Sequence, residues 1–327
     1  MISYIEHSDV VTQTFKKYFF LSEGHPMIAD LISIVPFIGF FLLLRSFITN
    51  MIYVFAPGIM KHNNPTMTDH EIEEIKPRLA DQGVKLMFHL TAALFASQYF
   101  GQREWWLPDL VKGKDTVTSH VNLLDKVFFM YQAGYHMQSL IHFFFLETKR
   151  KADDFVMGLH HVVTIMLILG SYLAAAPYMQ VGICVFYVHD ASDVFVATTK
   201  SLNYIQLPKP ILAVSLVSSI LGWIYFRIFS FACHIIYVAA YTTKEIFDND
   251  GWTLEVYVRI SMTTLMMCLW SMHVYWLKAL VIASYRLATK SSNYDATDDD
   301  KAAMRQKSSF SNNSSAKTKR KEKSKIN

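Results

Sequence analysis

The sequence predicts an all-α, polytopic membrane protein, a bundle of about seven transmembrane helices, and three observations carry that expectation. Hydrophobic residues fill 52% of the 327 positions and charged ones only 18%, at a mean hydropathy of +0.21; soluble domains carry roughly one-quarter charged residues. The apolar residues gather into runs near the roughly twenty residues a helix needs to cross hydrocarbon: 28–55, 84–101, 123–146, 155–176, 179–203, 210–240 and 254–286. The basic residues collect between and after these runs, and ten of the 31 Lys and Arg fall from Lys290 onward. The net charge of +4 is small and concentrated in that tail, so it points to no nucleic-acid partner. No repeat of 20–50 residues is visible, which excludes solenoids.

The first run starts near Met27 and lacks the basic-then-apolar-then-small pattern of a cleaved leader, so it is expected to remain as a helix. The second is short and is followed by Trp105-Trp106, an aromatic pair suited to the headgroup level. The third contains Gln132, His136, Gln138 and His142 and must turn them toward protein or water; Phe143-Phe144-Phe145 reads as lipid-facing bulk. His136 and His142 either line a cavity or support packing. The fourth follows Lys149-Arg150-Lys151 and holds His160, His161 and Thr164, and the fifth holds His189, Asp190 and Asp193. In the sixth, Arg227 is placed to meet an anionic headgroup or a site carboxylate, while Lys200, near the end of the fifth, can snorkel. Cys184, Cys233 and Cys268 have no spacing suited to a disulfide framework or zinc site and read as small core residues.

Lys and Arg favour the cytosolic side. Loops after the first, third and fifth runs carry Lys61, Lys76, Arg78, Lys149, Arg150, Lys151 and Lys209, and the basic tail joins them. The other side has Lys16, Lys17, Arg103, Lys112, Lys114 and Lys244. A lumenal N-terminus and a cytosolic C-terminus follow. From residue 288 the chain is rich in Ser, Asn, Asp and Lys and too poor in apolar residues to order itself, so a disordered cytosolic tail is expected over 288–327. The sequons at Asn312 and Asn313 would then never meet the glycosylation machinery.

Ionisable groups at membrane depth are functional suspects, because an unpaired one costs several kcal/mol there. His160 and His161 lie roughly 10 Å inside the basic boundary at 1.5 Å per residue, and each is one turn from Thr164, whose hydroxyl could fix a ring's tautomer. His189 and Asp193 are spaced i,i+4 and Asp190 and Asp193 i,i+3, which gives one polar face. Imidazole beside carboxylate is a minimal acid–base pair, able to act as base or nucleophile. The short turn at Pro177 makes these two helices antiparallel neighbours. A polar network that merely locks packing is the competing reading. Two carboxylates and three imidazoles exceed what packing requires, and the absence of His-x-x-x-His spacing argues against metal.

The residues from Lys149 to Tyr204 resemble the signature region of the ceramide synthases within the TLC-domain family. The resemblance runs through Lys149-Arg150-Lys151-Ala-Asp153-Asp154-Phe155, His160-His161-x-x-Thr164, Ser171-Tyr172, Gly182, His189-Asp190-x-Ser192-Asp193, Lys200 and Leu202-Asn203-Tyr204. Arg227 and His273-Val-Tyr-Trp276 match features of the family's last two helices, so the resemblance spans about 70–287. It implies three parts: 1–69 with the first transmembrane helix, 70–287 as a six-helix TLC bundle around an acyl-chain cavity, and the tail 288–327. It further implies an endoplasmic-reticulum enzyme that N-acylates a sphingoid base with fatty acyl-CoA, using no cofactor beyond that co-substrate. Membrane lipids surround it, and a homo- or heterodimer or a small accessory subunit stays open. His160, His161, Asp190 and Asp193 carry over as catalytic residues, with Thr164, His189, Lys200, Arg227, His273 and Trp276 as substrate-binding residues. Departures at Gln180, Val196-Ala197 and Ala232 bear on headgroup contacts and substrate preference, and the lack of the homeobox-like insertion of many animal members makes the resemblance nearer to fungal or protist forms. The ending Lys323-Ser-Lys325-Ile-Asn327 resembles a dilysine retrieval signal.

Two rival functions are distinguishable. A non-catalytic TLC-domain lipid-binding, transport or translocation-associated protein would typically lack the full His-His and Asp-x-x-Asp set. A fatty-acyl elongase would need a His-x-x-His-His box, and Met157-Gly-Leu-His160-His161 lacks its first histidine.

Overall fold

The computed structural model describes residues 21, 24–103, 105–107, 121–146, 154–174 and 176–289. A 3-10 turn, Ile28–Ser33, leads into α1 (Ile34–Asn63). There follow α2 (Asp69–Tyr99), α3 (Leu123–Ile141, continued by a π turn His142–Leu146), α4 (Asp154–Leu173) and α5 (Ala176–Tyr204). Next come α6 (Lys209–Asp250), whose middle third Trp223–Ile236 is wound as a π-helix, and α7 (Leu254–Thr289). Each of the seven apolar runs thus falls on a helix. The second starts well before its apolar stretch, because a capping box opens it: the Thr68 hydroxyl accepts the Glu71 N–H at 3.3 Å while the Glu71 carboxylate accepts the Thr68 N–H at 2.8 Å. Gly251, at φ 67°, ends α6 in a backbone region that costs glycine nothing.

Among the described residues, five helical stretches are long and apolar enough to cross a membrane by length and composition: 28–63, 154–173, 177–204, 209–250 and 254–282. The expectation of seven such spans is met for these; α2 and α3 are helices without that apolar composition. Their surroundings supply the reason. On α3, Leu124, Lys126, Phe129, Gln132, Gly134 and Gln138 are all buried, so its polar groups meet protein. Helix α5 is central, lying against α2, α4 and α6, while α1 packs outside on α2 and α3. The α1–α3 approach depends on Gly134, where a Cβ would stand 2.4 Å from Cβ of Phe37. Small residues of this kind let membrane helices close on one another.

Outward faces are apolar: Val35, Leu43, Val54, Phe145, Val214 and Leu254 are all exposed. The polar residues face inward, the arrangement expected of a multi-pass membrane protein in lipid. Phe144 and Phe145 point outward as expected, whereas Phe143 turns in against His161, with ring centroids 5.3 Å apart. Cys184 is buried and Cys268 half-buried, but Cys233 lies exposed on α6, against the expectation of three core cysteines. The tail from 290, the basic loop at 149–151 and the lysines at 16, 17, 112 and 114 lie outside the described residues.

One fully buried ion pair ties three helices together. The Asp30 carboxylate accepts from Lys126 Nζ at 2.9 Å, from the Tyr172 hydroxyl at 2.7 Å and from the Met27 N–H at 2.9 Å. Lys126 also donates to the His25 carbonyl at 3.0 Å. Neither charge is left without partners, which is the condition under which burial of both is tolerable.

Candidate active site

A cavity of about 470 Å³ runs inside the bundle from His160, Asp190, Asp193 and Arg227 at mid-depth toward Tyr178, Asn249 and Arg259 at the end where α6 meets α7. Along α5 that distance, from Asp193 to Tyr178, is roughly 22 Å at the helical rise. Between the two ends the lining is largely apolar, with Leu167, Ile168, Val181, Val185, Val238, Met262, Met266 and Leu269. The cavity therefore has the length and character for a hydrocarbon chain whose reactive end meets charged side chains.

Two carboxylates, one turn apart on α5, organise the polar end. Asp190 is 1% exposed and is held by two contacts across the helix interfaces. Its Oδ1 lies 2.8 Å from His89 Nδ1 of α2, and its Oδ2 accepts from Gln132 Nε2 of α3 at 2.6 Å. Asp193 opens further into the cavity, its side chain 28% exposed, and pairs through Oδ2 with Arg227 Nη2 of α6 at 2.6 Å. Arg227 also donates through Nε to the Ser192 hydroxyl at 2.6 Å, and its guanidinium stacks over Trp223 at 4.5 Å. The alternative of an anionic headgroup as the partner of Arg227 gives way to the carboxylate. The π-helical winding carries this arginine, in keeping with the association of such turns with functional sites.

The imidazoles form a second chain. His189 Nδ1 lies 2.7 Å from the Val185 carbonyl, so that nitrogen carries the proton and donates. Its Nε2 is then the acceptor in the 3.1 Å contact with His273 Nε2 of α7. His273 Nδ1 is buried without a hydrogen-bond partner. On α4, His160 Nδ1 and Thr164 Oγ1 are likewise buried and without partners, and both residues line the cavity. The His160 ring stands edge-on to Trp276, centroids 5.2 Å apart.

Of the residues singled out from sequence, His160, Thr164, His189, Asp190, Asp193 and Arg227 line one cavity. His273 reaches it through His189, and Trp276 through His160. His161 and Lys200 are not among the lining residues; Lys200 is exposed, and His161 sits against Phe143. Two expected contacts are absent. The Thr164 hydroxyl fixes neither His160 nor His161, since its oxygen is buried without a hydrogen-bond partner. His189 and Asp193 form no intrahelical pair; each is drawn across an interface to a stronger partner, His273 for the imidazole and Arg227 for the carboxylate. Sequence reasoning overlooked His89, although a histidine inside the apolar stretch after Val84 carries the same signal as the others.

Residues 78–282, more than half the chain, match the TLC domain. Among curated proteins the chain is 28% identical over 212 residues to ceramide synthase 1 LOH3 of Arabidopsis thaliana, covering 63% of this chain and 66% of that one. It is 30% identical over 188 residues to the sphingosine N-acyltransferase-like protein FUM17 of Gibberella moniliformis, covering 55% and 46%. To the sphingosine N-acyltransferase lag1 of Schizosaccharomyces pombe it is 23% identical over 265 residues, covering 79% and 65%. The match spans less than two thirds of each relative's length, and under half in the case of FUM17. The domain match covers more than half of the chain, and the chain belongs to the TLC-domain family.

Proposed function

We propose that this chain is an acyl-CoA-dependent N-acyltransferase of sphingoid bases in the endoplasmic-reticulum membrane, with its N-terminus lumenal and its C-terminus cytosolic. The observation that carries the reading is His160, whose Nδ1 is a buried imidazole nitrogen without a protein partner and which lines the same cavity as the Asp190–Asp193 pair. A sphingoid amine is protonated at neutral pH and needs both a carboxylate to receive the ammonium and a base to release it. Asp193, the more open of the two carboxylates, is suited to the first task, and His160 to the second.

The ammonium first yields one proton to His160, which releases it to solvent; the free amine nitrogen then attacks the thioester carbonyl carbon, the C–N bond forms and the C–S bond breaks, and a second nitrogen proton passes by way of His160 to the departing thiolate. In the second form of the same chemistry, His160 takes the acyl group and passes it to the amine. The apolar stretch of the cavity takes the acyl chain, and each buried methylene contributes about 0.8 kcal/mol. His161, beside it, and Arg227, which fixes Asp193, support the site; no metal and no cofactor is called for.

The test is acylation of sphinganine by the purified protein in lipid with a panel of fatty acyl-CoAs. Formation of dihydroceramide by wild type, and none by folded His160→Ala, supports the reading. A folded wild type silent with every donor, with accessory subunits supplied, replaces it with lipid binding.

A further inference from the structure

Helix α2 has its largest packing partner in α5, and at that interface a single imidazole faces both carboxylates. His89 Nδ1 is 2.8 Å from Asp190 Oδ1, and His89 Nε2 is 3.6 Å from Asp193 Oδ2. The first separation is a hydrogen bond; the second is too long for one, and a small ring movement would close it. The ring is 6% exposed, sits edge-on to Tyr135 at 5.6 Å and follows Phe88, itself stacked on Tyr135 at 3.4 Å. It also borders the cavity.

The two carboxylates have otherwise separate partners, Gln132 for Asp190 and Arg227 for Asp193. Two carboxylates one turn apart repel unless something between them compensates. An imidazole has two nitrogens on opposite sides of a rigid ring, so it can address one oxygen of each and fix the distance between them.

We propose that His89 is a positioning residue, the clamp that holds Asp190 and Asp193 in register so that Asp193 presents its free edge to a cationic amine in the cavity. Asp190 is the anchor: locked by His89 and Gln132, it orients the ring, and the ring's second nitrogen sets Asp193. This rests on the amine-acceptor reading given above and extends it to a residue outside the His-His and Asp-x-x-Asp motifs.

The amide nitrogen of asparagine can stand where Nδ1 stands, and that of glutamine where Nε2 stands, so three variants separate the two contacts. In His89→Leu both are lost; His89→Asn keeps the one to Asp190, and His89→Gln the one to Asp193. Folding is checked by monodispersity and thermal unfolding in detergent. Acylation kinetics are then followed with sphinganine and one acyl-CoA, and binding of sphinganine alone through its effect on Tm.

The clamp predicts that His89→Leu loses roughly a hundredfold in kcat/KM for sphinganine, with KM for acyl-CoA unchanged, and that sphinganine no longer raises its Tm. His89→Asn should recover more than His89→Gln, since the anchor is the shorter contact. A folded His89→Leu within about twofold of wild type in both assays overturns the proposal. So does failure of all three variants to fold, which would make the ring a packing element. A wild type that binds sphinganine but acylates it with no donor overturns the enzyme reading, while the Tm assay still reads the clamp.

Discussion

Two clusters of buried charge lie in this bundle, and they differ in what surrounds them. In one, Asp30, Lys126 and Tyr172 are at most 1% exposed and every contact runs to protein. In the other, Asp190 is equally buried, but Asp193 opens to a cavity shared with His160 Nδ1 and Thr164 Oγ1, atoms without partners. Both satisfy the electrostatic requirement for burial. The difference lies in the unspent hydrogen-bonding capacity beside an open volume, which the first cluster lacks. Depth of burial alone therefore does not mark chemistry; buried charge next to uncommitted polar atoms does.

The sharpest way to break this contrast is to strike each cluster and read both activity and stability. Removing the uncommitted imidazole, His160→Ala, should lower turnover by about 10²–10⁴-fold and leave thermal unfolding close to wild type; unfolding together with loss of activity would make the two clusters alike. Lys126→Met leaves Asp30 buried without its cation and should cost about 3–5 kcal/mol of stability. Denaturant titration in micelles measures that loss, and a change under about 1 kcal/mol, the size of a surface pair, would remove the structural role. Gly134→Ala pushes a methyl group into Phe37, and about 1–3 kcal/mol of overpacking is expected, visible as a lower Tm with kcat retained. The smallest effect belongs to Asp30→Leu combined with Lys126→Met. Replacing both charges by apolar groups should return stability to within about 1–2 kcal/mol of wild type; a double variant no better than Lys126→Met alone would show that the pair does more than neutralise itself.

Much of this was legible in the chain. Seven apolar runs became seven helices, since hydropathy over some twenty residues is a local property. The convergence of α4 and α5 at the site followed from the short turn at Pro177 and the depth of His160, Asp190 and Asp193. What stayed hidden depends on partners far apart in sequence. His89 and Asp190 are separated by 101 positions and Gln132 and Asp190 by 58, and nothing in either neighbourhood announces the other. Asp30 carries no signal of its own in the sequence, because its partners Lys126 and Tyr172 come from α3 and α4. The intrahelical His189–Asp193 pair was a sound local inference that lost to interfacial partners, because Arg227 and His273 arrive from helices whose placement spacing cannot give. The polar character of α3 was read as needing protein or water: Gln132 meets Asp190, and His136 lines the cavity.

That last point bears on α1. The match to the TLC domain begins at residue 78, after α1 has ended, and α1 contributes no residue to the cavity lining. Its outward face is greasy and its inward face lies on α2 and α3, the two helices without a membrane span's composition. It acts as a tethered annular lipid, a strip of solvent carried by the chain itself. Substitutions along its outer face should drift freely so long as they remain apolar, while Phe37 and Asp30, which touch α3 and its lysine, should not. A transplant of this segment between relatives would be accepted or refused at those two contacts, and the chemistry inside would not notice which strip it wore.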